Sequence, residues 1–303
     1  MTNPKRLSIS MVAASHDTVT ASEIASFAAA VEQCGFHRLY LTDHYFHRAP
    51  TLHSGSAFAI VAAATQRIGL GYCSYIVPMR HPIVVAKELA FMDGLCEGRL
   101  LAGLAAGSSQ EEFDALGIPF KTRGRRLDES IEVMRKLWEH DDVSHEGEFF
   151  AFESVTINPK PVQQPFPVWI GSWTGTRPAA RRIVGTAAGW QASGLHATPE
   201  QAVVGWQRIE SMCEEMGRDP ASIGRSLVNL RVRVGTDRNS ALDSLKPIWR
   251  HNEDQIIAGD PDTVISELSA LFDSGFEEIA VLAPLDARDQ LELLAEQILP
   301  AFQ

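Results

Sequence analysis

The sequence predicts an α/β barrel of eight strand–helix units, a (β/α)8 TIM barrel. Three observations carry that reading. Short β-leaning runs alternate with helical periodicity from end to end. The 303 residues suit one barrel of about 250 residues plus insertions. Polar or glycine-rich residues follow the strand candidates at their C-terminal ends, where barrels of this kind carry their chemistry. The stretch from Thr65 to Gly107 shows all three together, reading as strand, loop, helix, strand, loop.

Arg6 to Val12 is the first strand candidate. Ser22 to Cys34 is helical, with Ile24, Phe27, Ala28 and Val31 at i, i+3, i+4 and i+7, and Gly35 stops it. Arg38 to Thr42 is the second strand, followed by a polar loop from Asp43 to Gly55 and a helix from Ser56 to Thr65. Arg67 to Tyr72 is the third strand, and His81 to Cys96 is a helix opened by Pro82 at a first-turn position. Arg99 to Leu104 is the fourth strand, and the long loop from Gly107 to Phe120 has the length of a functional segment. Arg123 to His140 is a strong helix with Leu127, Ile131, Met134, Leu137 and Trp138 as its buried stripe. Short alternating runs about Gly147 predict a β-hairpin insertion at 143–165, near the barrel mouth. Val168 to Ile170 is the fifth strand. Pro178 to Val184 is a short helix, and a sixth strand lies near Ala187 to Gln191. Thr198-Pro199-Glu200 caps a helix running to Met216, and Leu227 to Val234 is the seventh strand. Asp260-Pro261 opens a helix to Asp273, Glu278 to Leu282 is the eighth strand, and Leu291 to Leu299 closes the chain. No low-complexity linker intervenes, so residues 1–303 read as one domain.

Composition narrows the function. Hydrophobic residues make up 45% and charged ones 21%, as in an ordinary globular protein with a sizeable core. With 27 basic against 38 acidic side chains the net charge is −11, a bulk field that repels nucleic acid and anionic membranes. Cys34, Cys73, Cys96 and Cys213 are scattered, without the spacing of a disulfide framework or a zinc site. No run has the 18 or more apolar residues of a membrane span, and the N-terminus lacks a signal peptide's apolar core. The expectation is a cytoplasmic protein acting on a small molecule.

Strand ends supply the candidate site. Asp43-His44 follows the second strand, and an imidazole that titrates near neutrality suits proton transfer. A loop-capping aspartate and a surface histidine are the plain alternative. His44, His47 and His53 with Asp43 have ligand chemistry for a metal but match no ligand spacing, so no metal is expected. Ala105-Ala106-Gly107-Ser108 ends the fourth strand with small residues that let backbone approach a planar ligand. Gly171-Ser172-Trp173-Thr174-Gly175-Thr176-Arg177 precedes a helix N-terminus, which attracts phosphate, and Arg177, Arg181 and Arg182 add positive charge. Arg80-His81-Pro82 is explained by a helix start. Trp190, Trp206 and Trp249 suit core packing as well as a pocket. Arg123 to Arg126 reads as a solvated helix start or a contact between subunits.

Five segments, taken in order, resemble the luciferase-like flavin-dependent oxidoreductases, which include bacterial luciferase and deazaflavin-dependent relatives. They are CGFHRLYLTDHYF (34–46), TQRIGLG with VPMRHPIVVAKELAFMD (65–93), EGRLLAGLAAG (97–107), EEFDALGIPFKTRGRRLDESIEVMRKLW (111–138), and GEFFAF with PKPVQQPFPVWIGS (147–172). The C-terminal GDPDTVISELSALFDSGFEEIAVL matches the family's usual ending. The resemblance implies a reduced flavin-type ring at the barrel mouth, either FMN or the deazaflavin F420. It implies a flavin reductase as partner if the ring is FMN, and a homodimer as in many relatives. It places His44 beside the ring, with Asp43 orienting the imidazole or bonding the ring. It runs Tyr72-Cys73-Ser74 beneath the ring, in relatives sometimes with a bulge or cis peptide, and backbone amides or the Ser74 hydroxyl then bond the pyrimidine edge; an ordinary strand end with Tyr72 and Tyr75 packed in the core is the equal alternative. Ala106, Gly107 and Ser108 border the ring, and Gly171, Ser172, Trp173, Thr174 and Arg177 hold the phosphate. One departure stands out. Many deazaflavin relatives carry an acid directly after the glycine matching Gly107, where this chain has Ser108, with Glu111 and Glu112 only later. A non-catalytic flavin carrier and a metal-dependent barrel hydrolase are the competing readings.

Overall fold

Eight strands pair in parallel and the pairing closes on itself. In this computed structural model, which describes residues 5–13, 18–47, 50–247, 250 and 252–303, the chain begins with β1 (Arg6–Val12), α1 (Ala21–Cys34), β2 (Arg38–Leu41) and α2 (Ser54–Ala64). Next come β3 (Gly69–Tyr72), the two-residue β4 (Tyr75–Ile76), α3 (Pro82–Leu95), β5 (Leu100–Ala105), α4 (Gln110–Ala115) and α5 (Arg123–Glu139). The hairpin β6 (Val143–Glu146) and β7 (Ala151–Val155) precedes β8 (Val168–Gly171), α6 (Arg177–Thr186), β9 (Gly189–Ser193) and α7 (Pro199–Met216). The chain ends with β10 (Gly224–Leu230), β11 (Val232–Val234), α8 (Arg238–Asp243), β12 (Ile257–Gly259), α9 (Pro261–Asp273), β13 (Glu278–Pro284) and α10 (Arg288–Leu293). The order around the barrel is β3, β2, β1, β13, β10, β9, β8, β5, and β5 pairs back to β3.

Local chemistry explains most elements. Thr20 and Glu23 form a reciprocal capping box on α1, and Gly35 ends it at φ 86°, a left-handed position that glycine takes without a Cβ penalty. The same box, Thr198 with Gln201, opens α7, and Asp260 caps α9. The α5 stripe Leu127, Ile131, Met134, Leu137 and Trp138 is buried, each side chain worth about 1.5–3 kcal/mol of removed apolar surface.

Three details differ from the sequence reading. The expected strand Leu227 to Val234 is divided: β10 belongs to the barrel, and β11 leaves it to pair with β12 in a separate two-stranded parallel sheet. The register against β13 shifts between Leu227 and Leu230, where Asn229 takes φ 58°. The 107–120 segment is not a bare loop, because α4 forms inside it. The closing helix stops at Leu293 and runs on as a π turn and a 3-10 turn to Phe302. The hairpin lies along α3 and α5, with its tip beside the barrel rim. Glu129 of α5 accepts the Phe149 and Phe150 N–H groups, Arg126 lies over Phe149, and Phe150 packs edge-on against His81 at the start of α3.

The barrel interior is packed by a few large side chains facing glycines. Trp169 fills the lower level, and a Cβ on Gly189 or Gly224 would lie 2.4 or 2.5 Å from its ring atoms. Above it Tyr40, Leu101, Val228, Ala280 and Cys73 form one cluster. Glu278 is buried beside Ser8 (2.5 Å) and Arg38 (4.0 Å).

On the outside, Glu32 of α1 reaches the turn before β3. One carboxylate oxygen accepts the N–H groups of Gln66, Arg67 and Ile68 at 2.9, 2.6 and 2.9 Å. Burial opposes ionisation of this side chain, which is 13% exposed, but the three donors and the Arg67 charge outweigh it and hold its pKa below the ordinary glutamate value of 4.5. A depressed carboxylate pKa contributes stability that is complete above the unfolded-state value and lost as pH falls through the folded one. Glu32→Gln is therefore expected to lower stability at pH 7 by about 1–3 kcal/mol. In urea unfolding the gap to the parent protein should begin to narrow as pH falls below the unfolded-state value of about 4.5 and close only below the folded one. A gap independent of pH would show that the charge plays no part.

Candidate active site

The C-terminal end of β2 passes into a segment without regular structure, Thr42 to His47, so side-chain bonds must hold it. Asp43 is 2% exposed and has four donors. Arg80 donates from both terminal nitrogens, Nη1 to Oδ2 at 2.8 Å and Nη2 to Oδ1 at 3.0 Å. The Ile76 N–H adds 2.9 Å and the Ser54 hydroxyl 2.6 Å. The four donors satisfy both oxygens of this buried carboxylate. Among the described contacts Asp43 does not reach the His44 ring, so orienting the imidazole falls to another residue.

That residue is Glu112. His44 Nδ1 lies 2.8 Å from Glu112 Oε2, and Glu112 Oε1 accepts the N–H groups of Tyr45 (2.7 Å) and Phe46 (3.3 Å). Glu112 is 1% exposed, whereas the His44 side chain is 29% exposed. An ionised Glu112 can only accept, which puts the proton on Nδ1, and among the described hydrogen bonds Nε2 has no partner. Glu112 comes from α4, capped by the Ser109 hydroxyl, which accepts the Glu112 N–H at 3.3 Å. Ser109-Gln110-Glu111-Glu112 has the pattern of a capping box, but the glutamate turns to the β2 end.

The third strand end has a cis peptide between Cys73 and Ser74. Tyr72 does not face the mouth: its ring packs outward against Phe58 and Tyr75, fully buried, and only its backbone borders the site. Cys73 is held by Ser10 and Asn229, and burial pushes its thiol up to about 12, so it stays neutral. The Ser74 hydroxyl donates to Gln191 Oε1 (3.0 Å), whose amide nitrogen donates to the Tyr72 carbonyl (3.1 Å). These strand ends come close because Gly103 and Gly171 carry no Cβ; one would sit 2.1 Å from Gln191 Oε1 and Ser74 Oγ respectively.

Ala106, Gly107 and Ser108 line the β5 end. Gly107 takes φ 82°, a Cβ there would strike Ile76 and Phe113, and its carbonyl accepts from Arg123 (3.2 Å). Phe113 packs with Ile76, Met79, Ile118 and Phe120 as an apolar bank beside the rim.

The β8 end is a turn whose carbonyls are drawn inward. Trp190 Nε1 donates to the Ser172 carbonyl (2.8 Å), and Arg208 Nη1 to those of Thr174 (3.0 Å) and Gly175 (2.8 Å). Thr176, the N-cap of α6, makes no side-chain cap, and since Pro178 has no N–H and the Ala180 N–H bonds the Thr176 carbonyl, the Arg177 and Ala179 N–H groups are the backbone donors left at that helix start. Trp173, 44% exposed, stacks on His196 of the next strand end at 4.0 Å and 2° between planes. Arg177 does not serve this turn: it reaches away to Glu215 at 3.3 Å. Arg182 likewise pairs with Asp128. The cation beneath the turn is Arg208, which the sequence reading missed because it lies on α7.

The other candidates have structural places. His53 caps α2 through Nδ1, and no group of three potential metal ligands assembles among the described residues. Trp190 and Trp206 are buried and stacked on each other, while Trp249 lies outside the described residues. Of the arginine run, Arg125 pairs with Glu148 of the hairpin and Arg123 braces the rim. No described helix is long and apolar enough to cross a membrane.

Comparison with known proteins agrees with this architecture. The model of the luciferase-like monooxygenase family matches residues 7–268. An F420-dependent glucose-6-phosphate dehydrogenase of Nakamurella multipartita is 28% identical over 323 aligned positions, covering 93% of each chain. Among solved structures, a monooxygenase from Streptomyces bottropensis superposes with a TM-score of 0.83 at 22% identity, covering 98% of this chain and all of that one. The oxygenating component of a Pseudomonas putida diketocamphane monooxygenase, in complex with FMN, gives 0.81 at 17% identity over 99% of both. The chain belongs to the luciferase-like monooxygenase family.

Proposed function

We propose that this enzyme is an F420-dependent oxidoreductase that exchanges a hydride with a small alcohol or carbonyl substrate. The observation that carries the reading is the His44–Glu112 pair at the β2 end, with Nδ1 committed to a buried carboxylate and Nε2 open. The F420-dependent relative, similar over nearly the whole of both chains, favours the deazaflavin over FMN.

The residues present fit such a cofactor. Gly171, Ser172, Trp173, Thr174 and the uncapped start of α6 would hold its phosphate, with backbone N–H groups as donors. The Cys73-Ser74 peptide, Ala106, Gly107 and Ser108 would border the ring, where small residues leave room for a planar group. When bound, F420 supplies a carbon that accepts or gives a hydride.

His44 Nε2 takes the proton of a substrate hydroxyl as the hydride leaves its carbon, and returns it in the opposite direction. Glu112 holds the ring in the required tautomer and stabilises the imidazolium by its charge. Asp43 acts through the backbone, fixing the segment that carries His44. Phe113, Phe120, Tyr45 and Phe46 supply an apolar border that keeps water from the reacting atoms.

Anaerobic titration of the protein with F420 and, separately, with reduced FMN tests the cofactor. Tight binding of F420 alone is expected. Binding of reduced FMN alone, with oxygen consumed once a flavin reductase is supplied, would make the enzyme a monooxygenase and overturn the proposal. F420 reduction assayed with glucose 6-phosphate and with propan-2-ol then asks which substrate class is oxidised. His44→Ala is expected to leave F420 affinity nearly unchanged and to cut turnover by about 100-fold or more. Glu112→Gln should lower turnover by at least an order of magnitude, through the tautomer it no longer fixes. Unchanged turnover in the His44 variant would remove the imidazole from the mechanism.

A further inference from the structure

We propose that Arg80 is a positioning residue for His44, gripping the chain on both sides of it. The inference rests on the role given to His44 above. Arg80 follows a 3-10 turn over Val77–Met79 that fixes its backbone, and its N–H bonds the Val77 carbonyl at 3.0 Å. From there the guanidinium forks onto Asp43, at 2.8 and 3.0 Å, on one side of His44. On the other side the Tyr45 ring lies over the same guanidinium, 4.5 Å from its carbon. The Tyr75 ring also lies against the guanidinium, 4.3 Å from its carbon, and the Tyr75 hydroxyl donates to Glu88 of α3. Nη1 also donates to the Ile76 carbonyl (3.0 Å). One planar cation therefore binds residue 43 through charge and residue 45 through its ring.

His44 has no regular structure of its own to fix it. Its place depends on two clamps: Arg80 on residues 43 and 45, and Glu112 on the His44 ring and the N–H groups of residues 45 and 46. If the first clamp loosens, the ring can leave Glu112 although Glu112 stays where α4 holds it. Lysine cannot replace Arg80, because it lacks both the two-pronged fork and the flat guanidinium that packs against the Tyr45 and Tyr75 rings.

The test uses the full chain, labelled with 15N-histidine and free of cofactor. An Nδ1–H bonded to a buried carboxylate gives a downfield proton resonance that exchanges slowly with water, assigned to His44 by its loss in His44→Gln. In Arg80→Lys that resonance should disappear or exchange at least about tenfold faster, and F420-linked turnover should fall by about 10- to 100-fold while F420 affinity holds. Tyr45→Leu, which leaves the buried ion pair intact, should shift the resonance in the same direction by a smaller amount. If Arg80→Lys does not fold, Asp43→Asn loosens the same clamp and should have the same effect on the resonance. An unchanged resonance in a folded Arg80→Lys or Asp43→Asn protein would overturn the proposal. A lost resonance with undiminished turnover would leave the positioning role standing and sink the catalytic role of His44 instead.

Discussion

An ionised carboxylate almost wholly removed from water persists only where donors surround it, and this chain places two of them at the end of one strand. Asp43 and Glu112 each draw several donors inward, and what they draw in is the irregular segment that carries His44. Removing one partner from such an arrangement strands a charge at a cost of about 3–5 kcal/mol, so the arrangement tolerates little drift. A catalytic imidazole needs that rigidity, and a loop does not supply it unaided. If His44 acts as proposed, stability and function depend on the same bonds here.

The interior of the barrel determines where those bonds can form. Trp169 takes the space that Gly189 and Gly224 leave, and Tyr40 lies against Gly71. With the lower levels filled by large rings, smaller groups occupy the upper level: Ser10, Cys73 and Asn229 are bonded to one another, and Gln191 bonds Ser74 and the Tyr72 carbonyl. Gly103 and Gly171 allow the Gln191 and Ser74 side chains to meet beside them. The mouth therefore rests on a fully bonded polar layer, which holds the strand ends in place.

Much of this could be read from the chain because it is local. Caps, terminal glycines and the α5 stripe involve residues three or four apart, and their patterns survive without tertiary context. The strand ends carrying His44, Ser108 and Gly171 follow from the alternation of elements. Three assignments are out of reach or misread for identifiable reasons. Glu112 is 68 positions from His44, and its sequence context reads as a helix cap, so a local explanation conceals a distant one. The sequence leaves Tyr72 open between lying beneath the ring and packing in the core, and alternation along β3 puts it on the face of Leu70, away from Gly71, which faces the interior. Arg177 is next to the phosphate turn in sequence, but at the first position of α6 its side chain runs outward to Glu215.

Under the proposed reading, the β8 turn is where this acidic protein offers an anion site. A cation on the mouth side of the turn would meet the ligand directly; Arg208 instead lies behind it and spends its donors on the Thr174 and Gly175 carbonyls. Turning carbonyl oxygens inward removes the negative ends of those peptide dipoles from the mouth. The same rotation leaves the N–H ends and the start of α6 as what an incoming phosphate meets. The field is thereby local and fixed in direction, and it is insensitive to the net charge of −11 that the rest of the surface carries. A flexible surface arginine such as Arg177 would lose entropy on every binding event, whereas a turn held by Arg208 has its donors aimed beforehand.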